Sequence, residues 1–176
     1  MAIREVLTWP NPRLREIAQP VPTVNSEVKE LVRDLYETMY DEGGVGLAAT
    51  QIGVPLRVVV MDCGGEERAP LALINAEIVE REGTIFWPEG CLSVPGVTAE
   101  VERSAQITVE YLDADGAPQQ LEAEGLLSVC VQHELDHLDG HLYFDRLAEL
   151  ERKATLIAYA DAVAQAEEAQ AEEAQT

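Results

Sequence analysis

Lysine is almost missing from this 176-residue chain: Lys29 and Lys153 are the only two, and 12 basic residues face 33 acidic ones, a formal net charge of −21. A surface of that sign repels polyphosphate and anionic lipid, so charge-driven binding to nucleic acid or to a membrane is excluded. Long apolar runs are missing too. No stretch approaches the roughly 18 consecutive apolar residues of a membrane span. The start, Met1-Ala2-Ile3-Arg4-Glu5, has neither the basic segment nor the apolar run of a signal peptide. A cytoplasmic protein is the expectation. Cysteine is scarce and odd in number: Cys63, Cys91 and Cys130 at irregular spacing argue against a disulfide framework and leave structural or metal-binding thiols.

What is present suffices for one domain with a core, since 47% of the residues are hydrophobic. From Asn25 or Ser26, Val28, Leu31, Val32, Leu35 and Met39 recur at helical spacing until Gly43-Gly44 stops the run. Leu56 to Met61 is a short β-branched run suited to a buried strand. Leu71 to Ile74, Glu77 to Glu82 and Ile107 to Leu112 read as further strands. Turn chemistry at Asp113-Ala114-Asp115-Gly116 and weak alternation over Gln119 to Ala123 suggest an antiparallel hairpin. A second helix, Leu126 to Leu138, is apolar nearly all round, therefore buried, and stops at Asp139-Gly140. A last helix starts near Asp145 with Leu147, Leu150, Ala154, Ile157 and Ala158 as its inner face. Its end repeats Gln-Ala-Glu-Glu-Ala at 165 to 169 and 170 to 174 without an apolar stripe, and reads as a frayed helix or a disordered acidic tail.

On the second helix, His133-Glu134-Leu135-Asp136-His137 sets His133 and His137 one turn apart on one face, so both imidazoles can reach one metal ion with Glu134 beside them. Hydrolytic sites usually hold the metal with three protein ligands. Cys130 shares the face but lies roughly 10 Å along the axis from His137 at ~1.5 Å per residue, too far in line to surround an ion. Cys91, in a loop-like stretch between Gly90 and Pro95-Gly96, can bring a thiolate over the helix from outside. The ligand set read from the sequence is Cys91, His133 and His137. Cys130 then reads as a small core residue, Cys63 as an ordinary thiol and His141 as a surface residue.

Three blocks stand in order: Gly44-Val45-Gly46-Leu47-Ala48-Ala49-Thr50-Gln51, Glu89-Gly90-Cys91-Leu92-Ser93 and Gln132-His133-Glu134-Leu135-Asp136-His137-Leu138-Asp139-Gly140. Together with Pro10-Asn11-Pro12-Arg13-Leu14-Arg15, they closely resemble peptide deformylase from Ile3 to about Leu147. The resemblance implies an α+β fold, with antiparallel β-sheets around the central helix that bears the two histidines, flanked by the N-terminal and C-terminal helices. The catalytic domain would span 1–150 and the C-terminal helix and tail 151–176.

The resemblance further implies removal of the N-formyl group from formylmethionine of new bacterial or organellar polypeptides. By position, Cys91, His133 and His137 match the metal ligands, Glu134 the catalytic carboxylate, and Gln51 with the backbone N–H of Leu92 the oxyanion donors. One divalent metal is implied: ferrous iron is favoured, with zinc, nickel or cobalt as replacements. A bound metal lowers the pKa of its water toward ~7, and Glu134 then serves as general base and acid. Gly46 matches a glycine whose backbone pairs with the substrate. The glycines around Val45 and Gly46 suit an extended peptide adding to a sheet edge. Phe86, Trp87, Leu126, Val129 and Cys130 serve either as core or as an apolar methionine pocket.

Two departures from the family pattern stand out. Pro95-Gly96-Val97-Thr98-Ala99 replaces a segment that in many members carries a basic residue. The acidic ending opposes docking on ribosomal RNA, so association with the ribosome would not run through a basic tail. Two other readings remain: a metallopeptidase sharing His-Glu-x-x-His, and a metal-binding homologue retired from catalysis. The acidic surface also suggests adaptation to high salt.

Overall fold

The computed structural model describes residues 2–174. Helix α1 (Ser26–Asp41) starts where the Asn25 side chain accepts the Val28 N–H at 3.0 Å. Its stripe of Val28, Leu31, Val32, Leu35 and Met39 is buried. Strands β1 (Gly46–Ala48), β2 (Val58–Asp62), β3 (Pro70–Glu82), β6 (Gln106–Leu112) and β7 (Pro118–Glu124) form one antiparallel sheet in the order β1-β2-β3-β6-β7. β4 (Ile85–Cys91) and β5 (Val94–Arg103) form a separate two-stranded sheet.

All five residues of β2 are buried because the sheet is covered on both faces. Val58 and Val60 face α1, while Val59 and Met61 face α2 (Gly125–Leu138). Among its residues, Ser128 to Gln132 and Glu134 to Leu138 are buried. The helix is therefore the core of the molecule, and its histidines are fixed by packing. Gln132 locks it further, donating to the Ser104 carbonyl at 2.9 Å and accepting the Ser104 N–H at 3.0 Å. At its end Gly140 takes φ 76°, and a Cβ there would lie 2.6 Å from the Arg15 carbonyl oxygen. The predicted glycine stop holds for both reasons.

Several expectations need correction. Leu71–Ile74 and Glu77–Glu82 are one strand, broken in register at Asn75, which has φ 52°. The Asn75 side chain accepts the Val21 N–H and donates to the Val21 carbonyl, both at 2.8 Å, so an interaction with the N-terminal segment fixes the irregularity. The stretch around Cys91 is not a loop: Cys91 ends β4, and β5 returns over Val94 to Arg103. Proline and glycine at 88, 90, 95 and 96 mask these strands in the sequence, yet a two-stranded sheet with free edges tolerates them.

Helix α3 (Glu149–Glu173) begins four residues later than predicted. Tyr143–Arg146 is a 3-10 turn instead, held by the Asp145 carboxylate accepting the Leu142 N–H at 2.9 Å. The inner face of α3 is rotated from the expected one. Thr155 and Tyr159 are buried and Leu156 and Val163 pack on β5 and the 3-10 turn, while Leu150, Ala154, Ile157 and Ala158 are exposed. Leu147 does join that cluster. The docked part of α3 thus crosses the expected boundary at 150. The acidic tail, expected as a frayed helix or a disordered segment, is helical to Glu173, in keeping with alanine and glutamate propensity; Gln175 and Thr176 lie outside the described residues. No helix among the described residues is long and apolar enough to cross a membrane.

Candidate metal centre and active site

The end of β4 and one face of α2 bring Cys91, His133 and His137 together. Their donor atoms all lie within 4.8 Å of one another. Cys91 Sγ is 3.3 Å from His137 Nε2, which is 3.2 Å from His133 Nε2. Both histidines therefore turn Nε2 toward the thiol. A thiolate and two imidazole nitrogens with side access are a suitable donor set for a divalent transition metal.

The electrostatics agree with a cation at this point. Burial pushes His133 down, but its hydrogen bonds with Cys91 and Glu89 and the charges of Cys91 and Glu134 outweigh it and hold the ring well above the usual imidazole range. A field that draws a proton onto His133 would draw a metal ion equally. His137 is held well below that range by burial and then by the charge of His133, so it is neutral, the form that ligates.

Glu134 is buried beside these three residues, and its Oε2 has no hydrogen-bond partner among the described residues. Burial, together with Glu89 and Asp136 and against His133 and Arg103, pushes its pKa up to about 7. Such a carboxylate can exchange a proton near neutrality. Gly46 lies against it: a Cβ at that position would collide with Glu134 Oε1 and would stand 2.8 Å from Cys130 Sγ. The close approach requires glycine.

Gln51 is also buried, on the 3-10 turn Ala49–Ile52. Its Oε1 accepts the Ala48 N–H at 2.9 Å, which leaves the amide nitrogen to face Ser93 Oγ at 3.0 Å and Cys91 Sγ at 3.7 Å. The N-terminal segment secures both sides, since Leu7 N–H donates to the Gln51 carbonyl at 2.7 Å and Trp9 N–H to the Ser93 carbonyl at 2.8 Å. Leu92 occupies the turn between β4 and β5.

These groups open on a cleft of about 630 Å³. Val45, Gly46, Gln51, Trp87, Cys91, Leu92, Leu126, Val129, Cys130, His133 and Glu134 all line it; His137 lies behind. Phe86 is the exception. It is 59% exposed and points away, because neighbours on a strand face opposite sides.

Sequence reasoning missed the ion-pair chain behind the ligands. Glu89 Oε1 accepts the His133 Nδ1–H at 2.7 Å, and Arg103 holds both oxygens of Glu89 at 2.8 and 2.9 Å. Arg103 also reaches Asp136 at 2.6 Å, which Arg146 grips from outside at 2.6 Å. Burial pushes Glu89 and Asp136 up, but these partners outweigh it and keep both below their ordinary values. Glu89 and Asp136 stood inside quoted motifs and carried a signal; Arg103, at the far end of β5, carried none.

A buried carboxylate next to two imidazoles and a thiol that could hold a metal ion, beside a largely apolar cleft, is an arrangement suited to hydrolysis. The family model described as Polypeptide deformylase matches residues 3–153. The chain therefore belongs to the polypeptide deformylase family and is an enzyme of the hydrolase class. It is 56% identical over 154 residues to the peptide deformylase of Alkalilimnicola ehrlichii, covering 87% of this chain and 86% of that one. It is also similar to the peptide deformylase structure from Legionella pneumophila, with TM-score 0.86 and 44% identity over 91% of this chain and 95% of that one. The structure from Ehrlichia chaffeensis in complex with actinonin gives TM-score 0.84 and 36% identity, covering 88% of this chain and 94% of that one.

Proposed function

We propose that this enzyme hydrolyses the N-formyl group from formylmethionine at the start of nascent polypeptides in the bacterial cytoplasm, releasing formate. The observation that carries the reading is the convergence of the Cys91, His133 and His137 donor atoms beside buried Glu134. A divalent metal held by those three residues, ferrous iron by preference and zinc, nickel or cobalt in its place, would supply Lewis acidity toward a water and the formyl oxygen.

The chain's own groups do the rest. Glu134 takes a proton from the attacking water and returns it to the departing amine, a role that its raised pKa suits. The Gln51 amide and the Leu92 N–H donate to the oxyanion as the carbonyl becomes tetrahedral. The backbone of Val45 and Gly46, at the β1 edge of the sheet, pairs with the extended substrate. Trp87, Leu126, Val129 and Cys130 receive the methionine side chain. The strongly acidic chain approaches nascent peptides without binding nucleic acid or a membrane itself, and any ribosome contact avoids a basic tail.

The test is formate release from formyl-Met-Ala-Ser by anaerobically purified protein with its metal quantified. Turnover lost in Glu134→Ala with metal retained supports the assignment. Absence of turnover at full ferrous loading overturns it.

A further inference from the structure

Cys63 and Cys130 are the two thiols that the hydrolysis leaves without a ligand role. Cys130 lies on α2, three residues before His133, and its sulfur is 3.7 Å from the Val45 carbonyl oxygen. That same carbonyl accepts the Asp62 N–H at 2.8 Å, and Cys63 is the next residue. The pairing of β1 with β2 thus delivers Cys63 to the face of α2 where Cys130 emerges. Cys63 packs against the hydrophobic cluster that contains Cys130, on the same side of β2 as Val59 and Met61.

Both cysteines are free, and they are unlike: Cys63 is half-buried, Cys130 buried. Its interaction with Cys130 holds the Cys63 thiol below its ordinary value against the effect of burial. The same interaction, then burial and Glu134, pushes Cys130 well up. Cys63 is the readier thiolate, and the thiolate is the form that reacts with peroxide.

We propose that Cys63 and Cys130 are a reversible disulfide site, oxidised by hydrogen peroxide, that ties the end of β2 to α2. The Cys63 thiolate attacks one peroxide oxygen and the O–O bond breaks. The departing hydroxide takes up a proton as water, leaving a sulfenic acid on Cys63. Cys130 Sγ then gives up its proton and attacks Cys63 Sγ; the S–S bond forms, the S–O bond breaks and a second water leaves. Two thiols are oxidised and one peroxide is reduced to two waters. A dithiol reductant reverses the change.

The test treats zinc-loaded protein, whose metal has no redox step, with one equivalent of hydrogen peroxide. Remaining thiols are then alkylated under denaturing conditions, and the protein is digested without reduction. The expected product is a peptide pair joining Cys63 to Cys130, absent after dithiothreitol, with Cys91 recovered alkylated. Cys63→Ser gives no such pair and, before peroxide, keeps turnover within about twofold of the parent. Recovery of both thiols alkylated, a bond from either to Cys91, or Cys63 as sulfinic acid with Cys130 still free would each overturn the proposal. The peptide map reads this bond whether or not the protein releases formate.

Discussion

Glu89 Oε1 and His133 Nδ1 stand 2.7 Å apart, and the carboxylate that makes this contact is itself clamped by Arg103. An ionised Glu89 can only accept, so His133 directs its Nδ1–H at it, and Nε2, on the side of Cys91 and His137, is the nitrogen a metal would take. Replacing Glu89 with Gln should weaken metal binding by about 10- to 100-fold. Competition against a chelator of known affinity reads this directly; an unchanged affinity would mean that packing alone orients the ring.

Arg103 lies buried between Glu89 and Asp136. Arg103→Met leaves two buried carboxylates short of a partner and should cost about 3–5 kcal/mol of stability. Urea denaturation of the metal-loaded protein checks it. A loss under 1 kcal/mol would show that water reaches the vacated positions.

Gly46→Ala places a methyl group against Glu134 and Cys130. Overpacking of this kind typically costs about 1–3 kcal/mol, and the carboxylate proposed as the proton carrier is among the atoms that must move. Turnover should therefore fall further than stability does. Parallel kinetics and denaturation separate the two, and equal losses would argue against contact with Glu134.

Gln51→Met keeps the bulk of the side chain but removes the proposed oxyanion donor. The expected change is a fall in kcat of about 10²–10³ with little change in KM. Steady-state kinetics at matched metal content decide; a rise in KM alone would assign Gln51 to ground-state binding.

Asp145 ties the chain's beginning to its end. It accepts from Arg15 and from the Leu142 N–H, with Arg152 at 3.1 Å, and these outweigh burial to hold its carboxyl below the ordinary range. A carboxylate depressed in the folded state adds stability that is fully present above its unfolded pKa, near ~3.9, and is lost as pH falls through the lower folded value. Asp145→Asn should thus lower stability by about 1–2 kcal/mol at neutral pH, and the gap should close below about pH 4. Melting curves across pH test the sign: a gap that widens in acid would refute it.

Much of this architecture was readable beforehand, for identifiable reasons. α1 has a one-sided stripe and an asparagine cap, and α2 has an apolar circumference with a glycine stop; both signals are local and survived folding. The β4–β5 hairpin was hidden because Pro88, Gly90, Pro95 and Gly96 carry loop chemistry, and its strands form against each other and against Tyr143 and Phe144 some forty residues on. The inner face of α3 failed more narrowly. Leu150 and Ile157 are the larger hydrophobes, yet Tyr159 decides the rotation by donating to the Trp9 carbonyl at 2.7 Å, a partner 150 residues away. The grouping of Cys91, His133 and His137 was legible because two short contiguous motifs carry the three residues. Arg103 was not, because ion pairing across elements leaves no period in a sequence.

The burial of α2 has a kinetic meaning as well. Amide protons of His133 and Glu134 sit in hydrogen bonds that no small fluctuation uncovers, so they should exchange with deuterium only when the whole molecule opens. The cleft's other wall, from Gly43 to Gly46 with exposed Val45, contains backbone far less deeply held. Adjustment to differing peptides then falls to that rim, while the chemical groups keep their spacing for as long as the protein stays folded.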